Sequence, residues 1–403
     1  MGVASGKSFH ARHRHGTNCQ HDRRQAQALV ARRHRWWIAG NLTFASVLVF
    51  FLPAQYLFAQ TPDTVRIATY TVELTRKGPG LLLRDILSED DAQIIAAQSV
   101  IAENDPDILL LVGFDYDLHL IALSAFADQL EQLGAPYPHR FARRPNSGRP
   151  SGLDLDGDGR LGGARDAQGY GRFSGHGGMA ILSRYPITET GIQDFTDLLW
   201  QELPGAHLAD LEAEVEAGRT QRLSSINHWA VPVKIDGLGL VELLTIGATP
   251  PVFDGPEDRI GYRNRDELRL WHLYLNGGLD QQPHAPVVLL GKFNVDPFDG
   301  DGRSEGIAGL LSDPHLQDPQ PSSEGAREAA DQTHQGPSAL DTAAFDPAPE
   351  GPGNLRVDYV LPDAKLTVAG AGVVWPPSGD PRAADIERAA RHRLVWVDLV
   401  RDR

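Results

Sequence analysis

The run DILLLVGF (107–114) is apolar at almost every position, and a strand of that kind must be covered on both of its faces. VVLLG (287–291) makes the same demand. VRIATYTVEL (65–74), GMAILS (178–183), INHWAVPVKI (226–235) and VELLTIG (241–247) also read as strands, as do 356–361, 366–374 and 394–400. Between them lie helical stretches. One is capped by Asp90 or Asp91 and runs to Asn104, where Asp105-Pro106 ends it. A second carries Leu118, Leu120, Ile121, Phe126, Leu130 and Leu133 and stops at Gly134, and a third spans 264–276. Doubly covered strands with helices between them predict two packed sheets with helices outside. Residues 143–177, 250–263 and 313–353 read as long polar loops, the last as a surface excursion rich in Pro, Ser, Gln and Gly.

Charge divides the chain. Residues 1–36 hold eight Lys and Arg against Asp22 alone, a balance of +7, so the rest carries −22 of the overall −15. A body that acidic argues against sequence-independent grip on duplex DNA. The basic segment leads into an apolar run, 37–59, near the ~20 residues that span a bilayer. The order reads as a signal peptide or a signal-anchor helix, with the body, 61–403, on the extracytoplasmic side, periplasmic or secreted, or held at the membrane by that helix. Cys19 is the one cysteine and lies in the basic segment, so the body has no disulfide.

Short motifs then follow in a telling order. ATYT (68–71) on the first strand precedes GGMAILSRYPI (177–187), GKFNVDP (291–297), RVDYVLP (356–362) and ARHRLV (390–395). The set resembles the endonuclease/exonuclease/phosphatase superfamily, whose members carry "ATYN" on the first strand, "LQE" at the end of the second, where this chain has Leu111-Val112-Gly113, and "GDxN", "R-I-D-Y-V" and "SDHRLV" at the last three of these places. The resemblance covers about 65–400 and implies an α+β fold, a four-layer α/β/β/α sandwich of two packed mixed sheets. It also implies metal-dependent phosphoester hydrolysis, with a phosphoester or phosphorylated small molecule as partner and a divalent cation, Mg or Ca, as cofactor. Carried over, Asn294 matches the Asn of "GDxN", Asp358 the Asp that orients the histidine, and His392 the catalytic histidine.

Other positions depart from that pattern. Thr71 stands for the first-strand Asn, Gly113 for the metal-binding Glu, Lys292 for the Asp of "GDxN" and Arg391 for the Asp before the histidine; Gly247 lies near the place of a further histidine. Cations where carboxylates belong repel a divalent ion, so the usual metal site reads as degraded. Two functions lead, ahead of a mainly structural calcium-loop surface protein. One is a phosphoester hydrolase resting on His392, Asp358 and Asn294. The other is a catalytically inactive anion-binding module in which Lys292, Arg391 and Arg184 hold a phosphate.

Carboxylates elsewhere suggest calcium. Asp154, Asp156 and Asp158 precede Gly159 as in the opening half of a calcium loop, and Asp299, Asp301 and Glu305 repeat the theme more weakly. TPPVFDGPEDR (249–259) with RNRDE (263–267) reads as a substrate-facing loop or a solvated helix entry.

Overall fold

Strand pleating sends alternate side chains to opposite layers, and here the alternation sorts almost every buried residue. A computed structural model describes residues 63–207, 219–255 and 257–401; the basic segment and the apolar run 37–59 lie outside the described residues. In chain order the elements begin with β1 (Thr64–Leu74), α1 (Leu81–Ser88), α2 (Ala92–Asn104), β2 (Ile108–Phe114) and α3 (Ile121–Gln132). Next come β3 (His139–Phe141), β4 (Gly178–Ser183), β5 (Gln193–Asp194), β6 (His228–Ile235), β7 (Gly239–Gly247) and α4 (Arg259–Leu275). β8 (Val287–Lys292), α5 (Ser304–Leu311), α6 (Glu324–Glu328), β9 (Ala343–Ala344) and β10 (Asn354–Leu355) follow. The chain closes with β11 (Asp358–Pro362), β12 (Val368–Val373), α7 (Ala383–Ala389) and β13 (Val395–Val400).

One sheet has the order β12-β13-β1-β2-β4-β3 and the other β11-β8-β7-β6-β5. Each contains one parallel pair, β1 with β2 and β7 with β8, among antiparallel neighbours. Val65 and Ile67 of β1, Ile108 and Leu110 of β2, and Val395 and Val397 of β13 face inward. There they meet Val241 and Leu243 of β7, Val288 and Leu290 of β8 and Val360 of β11. Ala68, Tyr70, Val72 and Leu74 point the other way, into α1, α2, α3 and α7. Leu244, Leu289 and Tyr359 likewise back onto α4 and α5. These are the four layers of the expected α/β/β/α sandwich, with two mixed sheets at the centre.

Local signals hold where the chain alone sets them. Asp91 caps α2 by accepting from the N–H groups of Gln93 (3.0 Å) and Ile94 (2.9 Å), and Asp105 ends it in the left-handed region before Pro106. The polar string RNRDE is not a substrate-facing loop. It lies on the buried face of α4 and ties the strand ends together. Glu267 accepts from Ser225 N–H (2.6 Å) and Thr249 N–H (2.7 Å), while Asn264 donates to the carbonyls of Thr249 (2.7 Å) and Phe293 (2.9 Å). The stretch 313–353 is not only a surface excursion either, since Thr342 and Ala343 are fully buried.

Leu290 sits in the dry layer between the sheets with no exposed surface. Leu290→Ala is expected to cost about 3 kcal/mol of unfolding free energy at an unchanged denaturant slope. Urea titration measures both; a loss under about 1 kcal/mol would show that the layer closes around the gap.

Candidate phosphate site at the end of the inter-sheet layer

The same alternation that fills the inter-sheet layer delivers polar residues to one end of it. After Val288 and Leu290, the next inward position of β8 is Lys292; before Val360, the inward position of β11 is Asp358; beyond Val65 and Ile67, β1 reaches Thr71. Asp358 and Lys292 are direct partners in the β8–β11 ladder. Asp358 is 1 % exposed and His392 4 %. His392 Nδ1 lies 2.6 Å from Asp358 Oδ2, Thr71 Oγ1 donates to Oδ1 at 2.7 Å, and Thr342 Oγ1 approaches Oδ2 at 3.2 Å. A buried carboxylate with three donors is a fixed anchor. It orients the imidazole through Nδ1 and leaves Nε2 as the ring nitrogen not bound to Asp358. The Phe345 ring packs edge-on against His392 at 5.6 Å.

The side chain of Lys292 makes no hydrogen bond or ion pair among the described residues, while its carbonyl accepts from Ala248 N–H at 2.8 Å. Burial lowers its pKa below the usual lysine range, and the nearby charges of Asp358 and Glu73 oppose that shift without cancelling it. Arg391 is not free in the same way. Its backbone N–H donates to Glu73 Oε2 at 2.9 Å and its Nη2 to Oε1 at 2.5 Å. Burial works against the ionisation of Glu73, but the Arg391 hydrogen bonds and the charge of His392 outweigh it and leave the carboxyl below its ordinary range. Asn294 follows Lys292 by two residues in a left-handed conformation, φ 57°, and donates to Ala248 O at 2.6 Å.

The backbone around position 113 is shaped for glycine. Gly113 has φ +77°, and an added Cβ would stand 3.3 Å from the Cα and N of Glu73. The ladder between β1 and β2 loses register at this point, between Thr71 and Leu74. A carboxylate at 113 therefore requires both a strained conformation and a displaced neighbour. Gly291 is equally constrained, since a Cβ there would lie 2.0 Å from Ile246 O.

A divalent cation does not fit this cleft. Glu73 is engaged by Arg391, Asp358 by its three donors, and the remaining positions are Gly113, Thr71 and a lysine. Among the described residues, the grouping of three acids close enough to share an ion is Asp154, Asp156 and Asp158, exposed and with carboxylate oxygens within 4.8 Å of one another. Asp154 also accepts from the N–H groups of Gly157 and Gly159, both at 2.8 Å. Asp299 instead staples a loop through Gln335 N–H and Gly336 N–H.

Arg184 does not join the cleft. It follows the last residue of β4, at the far end of the sheet, and pairs with Asp105 and with Asp107 at 3.1 Å. Two contributors were missed in the sequence. Glu73 was visible as an acid two residues beyond Thr71, but its turn toward Arg391 depends on the bulge. Thr342 gave no signal, because it sits in a stretch whose composition reads as loop.

Residues 85–392 match the family described as Endonuclease/Exonuclease/phosphatase. No curated protein matches the chain. Among solved structures, it resembles an endonuclease/exonuclease/phosphatase from Beutenbergia cavernae at 18 % identity and a TM-score of 0.51, over 84 % of this chain and 72 % of that one. It also resembles an AP endonuclease from Archaeoglobus fulgidus (14 %, 83 % and 98 % covered, TM-score 0.45). Sphingomyelinase C from Streptomyces griseocarneus is a further likeness (16 %, 83 % and 99 %, TM-score 0.44). At such identities the first of these likenesses speaks for the shared fold.

Asp341, next to the Thr342 that clamps Asp358, is 7 % exposed. Burial, and then the charge of Asp296, raise its pKa to about 7. The native state thus keeps this proton to higher pH than the unfolded chain does, so stability falls as pH rises from about 4 to about 7. Asp341→Asn should shrink the loss of unfolding free energy between pH 5 and pH 8 by on the order of 2 kcal/mol. Denaturant titrations at the two pH values test it, and an unchanged difference would refute it.

Proposed function

The chain belongs to the Endonuclease/Exonuclease/phosphatase family, and from that premise we propose that its cleft binds a phosphate ester between His392 and Lys292 without a divalent cation. The observation that carries this reading is the position of Lys292, in register with Asp358 and without an ion pair among the described residues. An ammonium partly withdrawn from water with no ion pair gains from an arriving phosphate through a charge-assisted hydrogen bond. His392, aimed by Asp358, supplies a second hydrogen-bonding group for the same phosphate. Lys292 then provides the positive charge that carboxylate-held metal provides in the pattern this chain resembles.

Binding is favoured over hydrolysis. Cleavage needs a group to align and deprotonate water, and the carboxylates that border the site are already committed, Asp358 to His392, Thr71 and Thr342, and Glu73 to Arg391. Asn294 alone, held by Ala248, is a positioning group and not a base. Placement outside the cytoplasm by residues 37–59 belongs to the same reading and rests on the order of basic and apolar segments.

The full chain in EDTA should be stabilised against heat by inorganic phosphate and by p-nitrophenyl phosphate. Lys292→Met and His392→Ala should each weaken that binding about 10- to 100-fold, the range for losing a hydrogen bond to a charged group. Mg²⁺-dependent hydrolysis of bis(p-nitrophenyl) phosphate that disappears in His392→Ala would overturn the reading in favour of an active hydrolase.

A further inference from the structure

Beside the cleft, Thr75, Arg76 and Lys77 after β1 and Tyr170, Arg172 and His176 before β4 line a cavity of about 350 Å³. Asp115, at the end of β2, joins its two walls by accepting from Arg76 N–H and Gly177 N–H, each at 2.8 Å. Tyr116 N–H adds a bond to Gly175 O at 2.7 Å. Arg76 is structural here, since its guanidinium is held by Asp85 (2.7 Å) and Asp91 (3.1 Å). Lys77 and Arg172 are different. Both are exposed, and neither makes an ion pair or side-chain hydrogen bond among the described residues. Burial and the charge of Arg172 lower the pKa of His176, so the pocket's free charge rests on these two cations. Two unpaired cations facing one cavity stand out in a chain of net charge −15. Tyr170, 59 % exposed, adds an open aromatic face.

The cavity and the His392 cleft lie at the same end of the same sheet. His392 precedes β13, Thr75 follows β1 and His176 precedes β4. From β13 to β4 is three strand spacings, roughly 14 Å, and Thr75 is only two residues beyond Glu73, which already touches Arg391. A single small molecule can reach both places.

We propose that this cavity is a second anion site, in which Lys77 and Arg172 take a further phosphate of a polyphosphorylated small molecule whose first phosphate sits between His392 and Lys292. The proposal rests on the phosphate reading of the cleft for its first anchor. Two free cations amount to too few phosphate contacts to hold duplex nucleic acid, whose binding rises with the number of phosphates neutralised. The exposed tyrosine suits a ligand that carries a flat or apolar body between its phosphates.

The test uses the full chain in EDTA, with calorimetric titration of inorganic phosphate and of linear polyphosphate, on wild type, Lys77→Glu/Arg172→Glu and Lys77→Ala/Arg172→Ala. Polyphosphate should bind wild type at least tenfold more tightly than phosphate does. Both double variants should lose that advantage and keep the phosphate affinity of wild type. The substituted residues are exposed, and unchanged far-ultraviolet dichroism confirms that the variants fold. Polyphosphate affinity that survives both double variants overturns the second site. A Lys292→Met variant that still binds phosphate at wild-type strength would instead refute the first anchor, so the two failures read separately. Tighter binding of a duplex or single-stranded oligonucleotide than of polyphosphate would overturn the assignment to a small molecule.

Discussion

A carboxylate buried between two apolar sheets has to be surrounded by donors, and much of this site follows from how Asp358 meets that requirement. Its own strand belongs to one sheet; Thr71 comes from a strand of the other, and His392 from the segment just before one. Thr342 arrives from the long stretch between α5 and β11 and also receives the N–H groups of Val357 (2.9 Å) and Asp358 (3.0 Å). One ionised group thus pins two sheets and a surface segment to a common point. Removing a partner from such a buried charge costs about 3–5 kcal/mol, which is why the pair persists as architecture whatever the cleft does chemically.

The same end of the inter-sheet layer gathers positive charge. Lys292 occupies the inward position opposite Asp358, and Arg391 is drawn off to Glu73 on the bulge of β1. The backbone suits these side chains, because Gly113 holds a left-handed conformation pressed against Glu73. Restoring one carboxylate there would not restore a metal site. The changes are mutually consistent: the bulge turns Glu73 toward Arg391, and Lys292 is left as the cation of the cleft.

Much of the fold was legible in the chain because strand periodicity is a local property. The runs 65–74, 178–183 and 287–291 coincide with β1, β4 and β8 to within a residue, and Asp91 caps its helix as its position suggests. The polar string RNRDE was misread because burial of charge cannot be seen from composition. Only the carbonyls and N–H groups that converge on α4 make Arg263, Asn264 and Glu267 interior residues. Arg184 was misplaced for a related reason. Its motif neighbours the site in sequence order, but an antiparallel strand carries it to the opposite end of the sheet.

By itself, the sequence determined the layers and the presence of an Asp–His pair, since pleat alternation and motif order are written along the chain. It also placed Lys292 and Arg391 where the motifs it resembles carry acids. Which of those two cations is held in an ion pair was decided only in three dimensions. A β-bulge set by Gly113 turns Glu73 toward Arg391, the ladder register sets Lys292 opposite Asp358, and no pattern within either strand encodes a pairing between strands far apart in the chain.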